Sequence, residues 1–404
     1  MPSTSTNAFE TAAATLRESP VQGLAQVHDL GLIAACSPDA LRSSGVLARR
    51  AAGRLASAIA SAAETLATDH PALAALRPQA PRSALMLSGG GQLGNYHIGV
   101  VRELQRRRLT PRLVSGSSAG AFVGALLATS TDAELADLLG GASSEPVSDI
   151  LAGAMEAASV AFSQPGLRDF LERLIPDMTL AEAQAHSGRS VNIVVARRDA
   201  EDGGTILNAE ATPHVLIRDA VVASCAVPYI YPSLKIGERR PDSSQGFYAD
   251  GARFMDGSLH ADLPASWLRD HCGATNLIAS VVNPFELPFM TDPDQHGVAM
   301  HAMASMGMNA LRGAMSAGMS MAMPFAQAMP GGRALSLWKR VLDQRVEADV
   351  IIAPGHPLQD LVRLTAHVSR TQLMRFVIEG EAAARGKMDL IEPGLRIELA
   401  LAGA

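Results

Sequence analysis

The pattern of apolar and polar positions divides the chain near residue 80. Residues 1–80 are rich in alanine, and the segment 47–67 has the apolar spacing of one amphipathic helix. Three prolines, the last of them Pro81, then interrupt the helical pattern just before a short apolar run. We therefore expect a helical N-terminal segment over residues 1–80 and a second domain over residues 81–404.

Beyond residue 80, short apolar runs alternate with helical patterns. This alternation is typical of βαβ units, in which helices cover both faces of a mostly parallel sheet. The predicted helices include 94–108 and 118–130. The predicted strands are 84–88, 112–116, 190–196, 204–207, 276–282 and 349–353. The pattern therefore predicts an α/β fold with a mostly parallel central sheet behind a helical N-terminal segment.

Composition narrows the class of protein. The chain has 404 residues, of which 48% are hydrophobic and 18% charged, as expected for a globular protein with a sizeable core. Its formal net charge of −6 argues against a nucleic-acid-binding protein that depends on a strongly basic surface. The three cysteines lack a metal-binding or disulfide-framework spacing, and the N-terminal residues lack a secretion signal. We expect a cytoplasmic protein.

A candidate nucleophile lies where the second predicted strand passes into a helix. Gly116, Ser118 and Gly120 form a GxSxG motif there. Small residues on both sides of the serine permit a sharp turn that lifts its hydroxyl out of the sheet at a helix N-terminus. Taken alone, the motif is equally consistent with a serine–glycine turn that caps a helix. The neighbouring motifs therefore have to decide whether Ser118 is a nucleophile.

A glycine-rich loop follows the first predicted strand. Gly89, Gly90, Gly91 and Gly94 stand between an apolar run and a helix, where backbone N–H groups can hold an anion. The loop lacks the lysine of a phosphate-binding P-loop, and no acidic residue follows at the distance that a dinucleotide site requires. The loop and Ser118 should meet at one edge of the sheet. We therefore interpret Gly89, Gly90 and Gly91 as an oxyanion hole.

A serine nucleophile needs a base, and the acidic residues are better candidates than the histidines. Asp250 and Asp256 each precede a glycine, so either carboxylate could project from a strand end, although such pairs are more often plain turns. Of the nearby histidines, we expect His97 to cap or pack the first helix and His260 to be exposed. A carboxylate and fixed N–H dipoles require no metal and no cofactor.

Five segments, taken in order, resemble the patatin-like phospholipase family. Within it, the match is closer to the branch that contains fungal and plant lipid-droplet triacylglycerol lipases. The segments are LSGGGQLGNYHIGVVREL, LTPRLVSGSSAGAFVGALLAT, ASCAVPYIYP, MDGSLHADLP and SVVNPFELPF, and the likeness covers roughly residues 82–392. The family implies a patatin-like α/β hydrolase whose serine and aspartate form a dyad without histidine.

The resemblance assigns roles position by position. Ser118 matches the nucleophile and Asp256 matches the acid/base. The resemblance therefore gives Asp250 no catalytic role. The residues that match the oxyanion loop are Gly89, Gly90 and Gly91. Two positions depart from many patatins and are shared with the lipid-droplet branch: Leu93 in the glycine loop, and Ser258 after the Asp–Gly pair.

These roles imply a lipid acyl hydrolase. Asp256 would take the proton of Ser118 as the serine attacks an acyl ester of a glycerolipid, triacylglycerol or phospholipid, and would then activate water to release the acyl-enzyme. Two alternatives stay open: acyl transfer to an alcohol on the same dyad, and a non-catalytic lipid-binding module. The expected partner is a lipid substrate, with peripheral membrane or lipid-droplet association and no nucleic acid.

Methionine is concentrated in a stretch that carries no charge between Arg312 and Arg333. Ten of the 17 methionines lie between Met290 and Met329, several of them at helical spacing. Flexible side chains of this kind suit a surface that accepts varied acyl chains, so we predict a lid-like helical insertion over about 290–332. An ordinary core helix filled with methionine is the alternative.

Overall fold

The structure is a computed structural model, and it describes most of the chain. The described residues are 3–140, 164–199, 204–228, 231–240, 242, 244–284, 286, 287, 306–308, 310–320, 339, 340, 343–355 and 369–403.

The N-terminal segment is helical. Its helices are α1 (Ser3–Glu18), α2 (Pro20–Asp29), α3 (Pro38–Arg42), α4 (Val46–Thr65) and α5 (Pro71–Leu76). The amphipathic helix predicted at 47–67 is α4, whose apolar face is buried against α1 and against the last helix of the chain. One apolar cluster accordingly extends from Phe9 and Leu55 in the N-terminal segment to Ile397 near the C-terminus.

The rest of the chain alternates strands and helices. In chain order they are β1 (Ser83–Leu87), α6 (Asn95–Arg106), β2 (Leu113–Ser117), α7 (Ala119–Ala128), α8 (Asp132–Gly140), α9 (Gln164–Leu174), α10 (Leu180–Ser187), β3 (Ser190–Arg197), β4 (Gly204–Leu207), α11 (Ile217–Ser224), β5 (Leu234–Lys235), β6 (Gly237–Arg239), β7 (Gln245–Phe247), β8 (Arg253–Asp256), α12 (Ser258–Ala261), α13 (Ala265–Cys272), β9 (Asn276–Ser280), β10 (Val350–Ile352), α14 (Arg370–Gly386) and α15 (Met388–Leu401). The predicted strands appear within about two residues of their expected ends. The short strands β5 to β8 were not predicted, because they carry no apolar run.

The central sheet is mostly parallel, as predicted. Its strands β10, β9, β1, β2 and β3 lie side by side and run in the same direction. The short strands β4 and β8 pair antiparallel with β3, and β5 pairs antiparallel with β8. The strands β1, β2 and β9 are buried along their whole length, because helices cover the sheet. The α/β prediction is confirmed.

The strand β3 brings two distant parts of the chain to one place. Along one of its edges, Ser117 at the end of β2 pairs with Val194, and Asp256 at the end of β8 pairs with the next residue, Val195. The opposite edge of β3 is occupied by β4. The two strands β2 and β8 therefore end against each other, although about 140 residues of chain separate them.

The described part of the methionine-rich stretch is helical and lies at the surface. Residues 310–320 form a helix. Met306, Leu311 and Met315 expose 74%, 51% and 43% of their surface, so the alternative of a core helix is wrong for these residues. Most of the predicted lid over 290–332 lies outside the described residues. In the part of the chain that the structure describes, no helix is long and apolar enough to cross a membrane.

Glu398 on α15 is predicted to make stability depend on pH. Its carboxyl accepts the Ser83 N–H at 2.7 Å, and burial raises its pKa from 4.5 to about 7. A carboxyl whose pKa is higher in the folded than in the unfolded chain weakens the fold as pH rises through that interval. Glu398→Gln keeps an acceptor for Ser83, so it should raise Tm relative to wild type more at pH 8 than at pH 5. The exposed Glu347→Gln serves as control; an equal gain at both pH values for Glu398→Gln would contradict this account.

Candidate active site

Ser118 occupies a strained turn between β2 and α7. Its backbone has φ 51° and ψ −120°, a conformation that costs a non-glycine residue about 1–3 kcal/mol. The flanking glycines make the turn possible. A Cβ on Gly116 would lie 2.3 Å from the carbonyl oxygen of Gly120, and one on Gly120 would lie 2.1 Å from that of Leu87. The GxSxG motif is thus a tight turn that presents Ser118 at the carboxyl edge of the sheet.

A buried serine holds this turn in place. The Ser118 N–H donates to the Ser224 hydroxyl oxygen at 2.8 Å, and that hydroxyl donates to the Val194 carbonyl at 2.7 Å. Ser224 therefore connects the strained residue to β3. Sequence reasoning missed this role, since a serine at the end of a helix carries no recognisable signal.

Asp256 is the carboxyl that the fold brings to Ser118. It is 1% exposed, and it pairs with Val195, the residue after the partner of Ser117, so its carboxyl lies next to the Ser118 turn. Burial raises the pKa of Asp256 from 3.8 to about 6, and the charge of Asp262 adds to this, while hydrogen bonds from Ser258 and Ser118 oppose it. The other candidate, Asp250, lies in the exposed turn Tyr248–Gly251.

The glycine loop lies directly against the nucleophile. A Cβ on Gly89 would lie 3.4 Å from the Cβ of Ser118. The Gly89 N–H donates to the Asp262 carboxyl at 2.7 Å and is therefore not available to an oxyanion. The prediction that Gly89 contributes an oxyanion donor needs correction. Within the described residues, the N–H groups of Gly90 and Gly91 have no acceptor. They lie at the start of the helical turn that leads into α6, where N–H groups are normally left free.

His97 supports the loop from behind. It is fully buried, and its Nε2 lies 2.9 Å from the Ser88 carbonyl oxygen while its Nδ1 lies 2.7 Å from the Ser280 hydroxyl. Because a carbonyl only accepts, Nε2 carries the proton and Nδ1 accepts from Ser280. Burial lowers the pKa of His97 to about 4, so the ring stays neutral. The expectation that His97 packs the first helix is confirmed.

His260 differs from expectation. It was expected to be exposed but is half-buried, with its ring 3.2 Å from the Arg340 guanidinium. Burial and then the Arg340 charge lower the pKa of His260.

The site lies in a part of the chain that matches a known protein family. Residues 85–268 match the family model described as patatin-like phospholipase, and this range contains the glycine loop, Ser118 and Asp256. A patatin-like phospholipase domain-containing protein of Cryptococcus neoformans is 30% identical over 342 residues, which cover 79% of this chain and 39% of that protein.

Two proteins that are named triacylglycerol lipases show a similar level of sequence identity to this chain. The triacylglycerol lipase SDP1L of Arabidopsis thaliana is 28% identical over 340 residues, covering 79% of this chain and 42% of that protein. The triacylglycerol lipase ptl2 of Schizosaccharomyces pombe is 30% identical over 337 residues, covering 78% of this chain and 53% of that protein. The chain thus spans about two-fifths to one-half of the length of these relatives.

The contact between Ser224 and Ser118 predicts that replacing Ser224 destabilises the protein more than replacing another buried serine, Ser115. Ser224→Ala leaves the buried Ser118 N–H without an acceptor, which should lower the free energy of unfolding by about 1–3 kcal/mol. Ser115 is equally buried, but its hydroxyl only donates to the Asn192 carbonyl at 3.2 Å, so Ser115→Ala should cost about 1 kcal/mol or less. Denaturant unfolding of both variants measures the difference, and equal losses would argue against a special role for Ser224.

Proposed function

We propose that the chain, of which residues 85–268 match the patatin-like phospholipase family model, hydrolyses acyl esters of lipids with Ser118 as nucleophile and Asp256 as base. The observation that carries the proposal is that β2 and β8 end against each other and bring Ser118 beside Asp256, a carboxyl that is buried and whose pKa burial raises to about 6. A base with a pKa close to the working pH is ionised when needed and still binds a proton effectively.

The reaction follows from the positions of these groups. The Asp256 carboxylate takes the proton of Ser118 while the hydroxyl oxygen attacks the ester carbonyl. The free N–H groups of Gly90 and Gly91 stabilise the negative oxygen of the tetrahedral intermediate. Its collapse releases the alcohol, which receives the proton from Asp256, and leaves the acyl group on Ser118. Asp256 then takes a proton from water as the water attacks the acyl-enzyme, and it passes this proton to the serine oxygen when the fatty acid is released.

A glycerolipid is the substrate class that we propose. Relatives from plants and fungi are named triacylglycerol lipases. The side chains of Met306, Leu311 and Met315 are exposed and apolar, and we propose that they contact a membrane or lipid droplet. A non-catalytic lipid-binding module would not need both Ser118 and Asp256, and their proximity in the fold favours hydrolysis over that alternative.

Loss of the nucleophile should abolish the reaction. Ser118→Ala should reduce kcat on a soluble p-nitrophenyl ester by about a thousandfold or more, since only binding and oxyanion stabilisation remain. A fluorophosphonate probe should label the wild-type protein and not the variant. Unchanged turnover or labelling in Ser118→Ala would refute the proposal.

The two Asp–Gly turns provide a matched test of the base within the same experiment. Asp256→Asn should lose activity nearly as completely as Ser118→Ala, because a carboxamide cannot accept the proton. The exposed Asp250→Asn should retain most of the activity. The opposite order of activities would show that the assignment of the base is wrong.

The methionine-rich surface should affect access to lipid rather than chemistry. Apolar contact is worth about 25 cal/mol for each Å² removed from water, and a carboxylate in its place opposes that contact. Replacing Met315 and Met319 by Asp should therefore weaken binding to triacylglycerol emulsions or vesicles and slow the turnover of long-chain lipid. Hydrolysis of the soluble p-nitrophenyl ester should survive.

A control variant separates a specific surface from a general effect of charge. Ile378→Asp changes an apolar side chain on α14 that is 61% exposed, and it should leave lipid binding unchanged. Equal loss on soluble and long-chain substrates in the methionine variant, together with a lowered Tm, would mean that these side chains serve folding instead.

A further inference from the structure

Asp262 joins the parts of the site that the chain supplies separately. Its Oδ1 accepts the Gly89 N–H of the glycine loop at 2.7 Å and also the hydroxyl of Ser117, the residue before the nucleophile. Its Oδ2 accepts the side-chain amide of Asn283, which follows β9, at 2.8 Å. The side chain itself is fully buried. One carboxyl therefore links three segments that approach Ser118 from different strands.

We propose that Asp262 is a positioning residue: its buried carboxylate fixes the glycine loop and the Ser118 turn relative to Asp256, and its charge makes Asp256 a stronger base. The inference rests on the proposed function for its kinetic consequences. The hydrogen bonds that carry it are independent of any activity.

The hydrogen-bond pattern indicates that Asp262 is ionised. The Gly89 N–H and the Asn283 amide group can only donate, and they donate to different oxygens of the Asp262 carboxyl, while the Ser117 hydroxyl provides a third donor. A carboxylate is the form of the side chain that only accepts. Burial raises the pKa of Asp262, and these three bonds oppose that rise. The nearby Glu286 differs, since it is 2% exposed and its Oε2 has no partner among the described residues.

Glu286 carries the proton of this carboxyl pair. Burial raises its pKa well above 4.5, the charge of Asp262 raises it further, and the charge of Arg312 only partly opposes this. Two close carboxyls in a dry interior cannot both ionise, and the one with three donors keeps the charge. The negative charge beside the dyad is therefore that of Asp262.

The turn between Asp256 and Asp262 is held at both ends. The side chain of Gln344 donates to the Ser258 carbonyl at 2.8 Å and accepts the Asp262 N–H at 2.9 Å. The N–H of Ser258 donates to Asp256 at 2.9 Å. The distance between the charge and the base is consequently set by the fold and not by flexible side chains.

Among the described residues, the charge that acts on Asp256 is that of Asp262. The end of α11 contributes the thiol of Cys225, whose pKa is raised by burial, so it stays neutral in the working range. The partner of Asp256 on β3 is the apolar Val195, and α7 begins after Ser118, which is not titratable in this range. Burial and then the Asp262 charge favour the protonated form of Asp256.

Asp262→Asn tests both parts of the proposal. Loss of the negative charge should move the titration of Asp256 to lower pH, measured by NMR of ¹³C-labelled aspartate carboxyls and assigned by the signal that disappears in Asp256→Asn. The acid limb of kcat/KM on a p-nitrophenyl ester should move in the same direction. We also expect kcat to fall by roughly tenfold to a hundredfold with little change in KM, because a loosened glycine loop misplaces the oxyanion donors.

Glu286 is the matched control. Glu286→Gln removes a carboxyl that is already neutral, so it should leave the titration of Asp256 and kcat close to wild type. Glu286 could ionise once Asp262 is replaced by a neutral residue, and its new charge would then mask the loss. The effect of Asp262→Asn on the titration of Asp256 is therefore also measured in the Glu286→Gln background, where the shift should be at least as large.

A second variant keeps the positioning role testable if Asp262→Asn does not fold. Ser117→Ala removes one of the three hydrogen bonds and leaves the charge in place, so kcat should fall while the acid limb stays where it is. An Asp256 titration that does not move in Asp262→Asn, or a kcat that is unchanged in Ser117→Ala, overturns the inference. If wild type hydrolyses no ester but the Asp256 titration still shifts, the proposed function fails and the electrostatic role of Asp262 stands.

Discussion

The pairing of β3 is the constraint on which the rest of the site depends. Ser117 and Asp256 pair with consecutive residues of this strand, Val194 and Val195, from two strands that meet end to end along one edge. Hydrogen bonds of a β-ladder define relative positions more closely than flexible loops do. The carbonyl of Val194 also accepts the hydroxyl that holds the Ser118 N–H. The same strand thus orients the proposed nucleophile and the proposed base.

Desolvation explains how a carboxyl could serve where many serine hydrolases use histidine. An exposed aspartate with a pKa near 4 is a weak base at neutral pH. Complete burial, strengthened by the fixed charge of Asp262, brings the pKa of Asp256 to about 6. His97 responds in the opposite way to the same burial, because desolvation disfavours its cationic form and leaves it neutral. The two groups therefore have separate tasks, His97 in supporting the loop and Asp256 in facing Ser118.

The helical N-terminal segment contributes to the frame that holds the sheet. Its helix α4 packs against α15, and α15 in turn contacts the start of β1 through Glu398 and Ser83. The glycine loop lies at the other end of β1 and leads into α6, which packs along α14. Apolar burial along these helices connects segments that are hundreds of residues apart in the chain.

Much of the architecture was determined by the sequence itself, since apolar runs of five to eight residues form strands wherever helices cover both faces of a sheet. The GxSxG turn is a local sequence motif, although one of its glycines, Gly120, is needed because the Leu87 carbonyl of another strand lies against it. The short strands β5 to β8 could not be predicted, since pairing with other strands, and not an apolar run of their own, makes them extended. Asp250 and Asp256 are alike in their local Asp–Gly sequence, and the family resemblance distinguished them before burial did. Only the tertiary structure revealed that the Asp262 carboxyl accepts the Gly89 N–H and that the Ser224 hydroxyl accepts the Ser118 N–H. Hydrogen bonds between residues more than 100 positions apart exist only after the sheet has assembled.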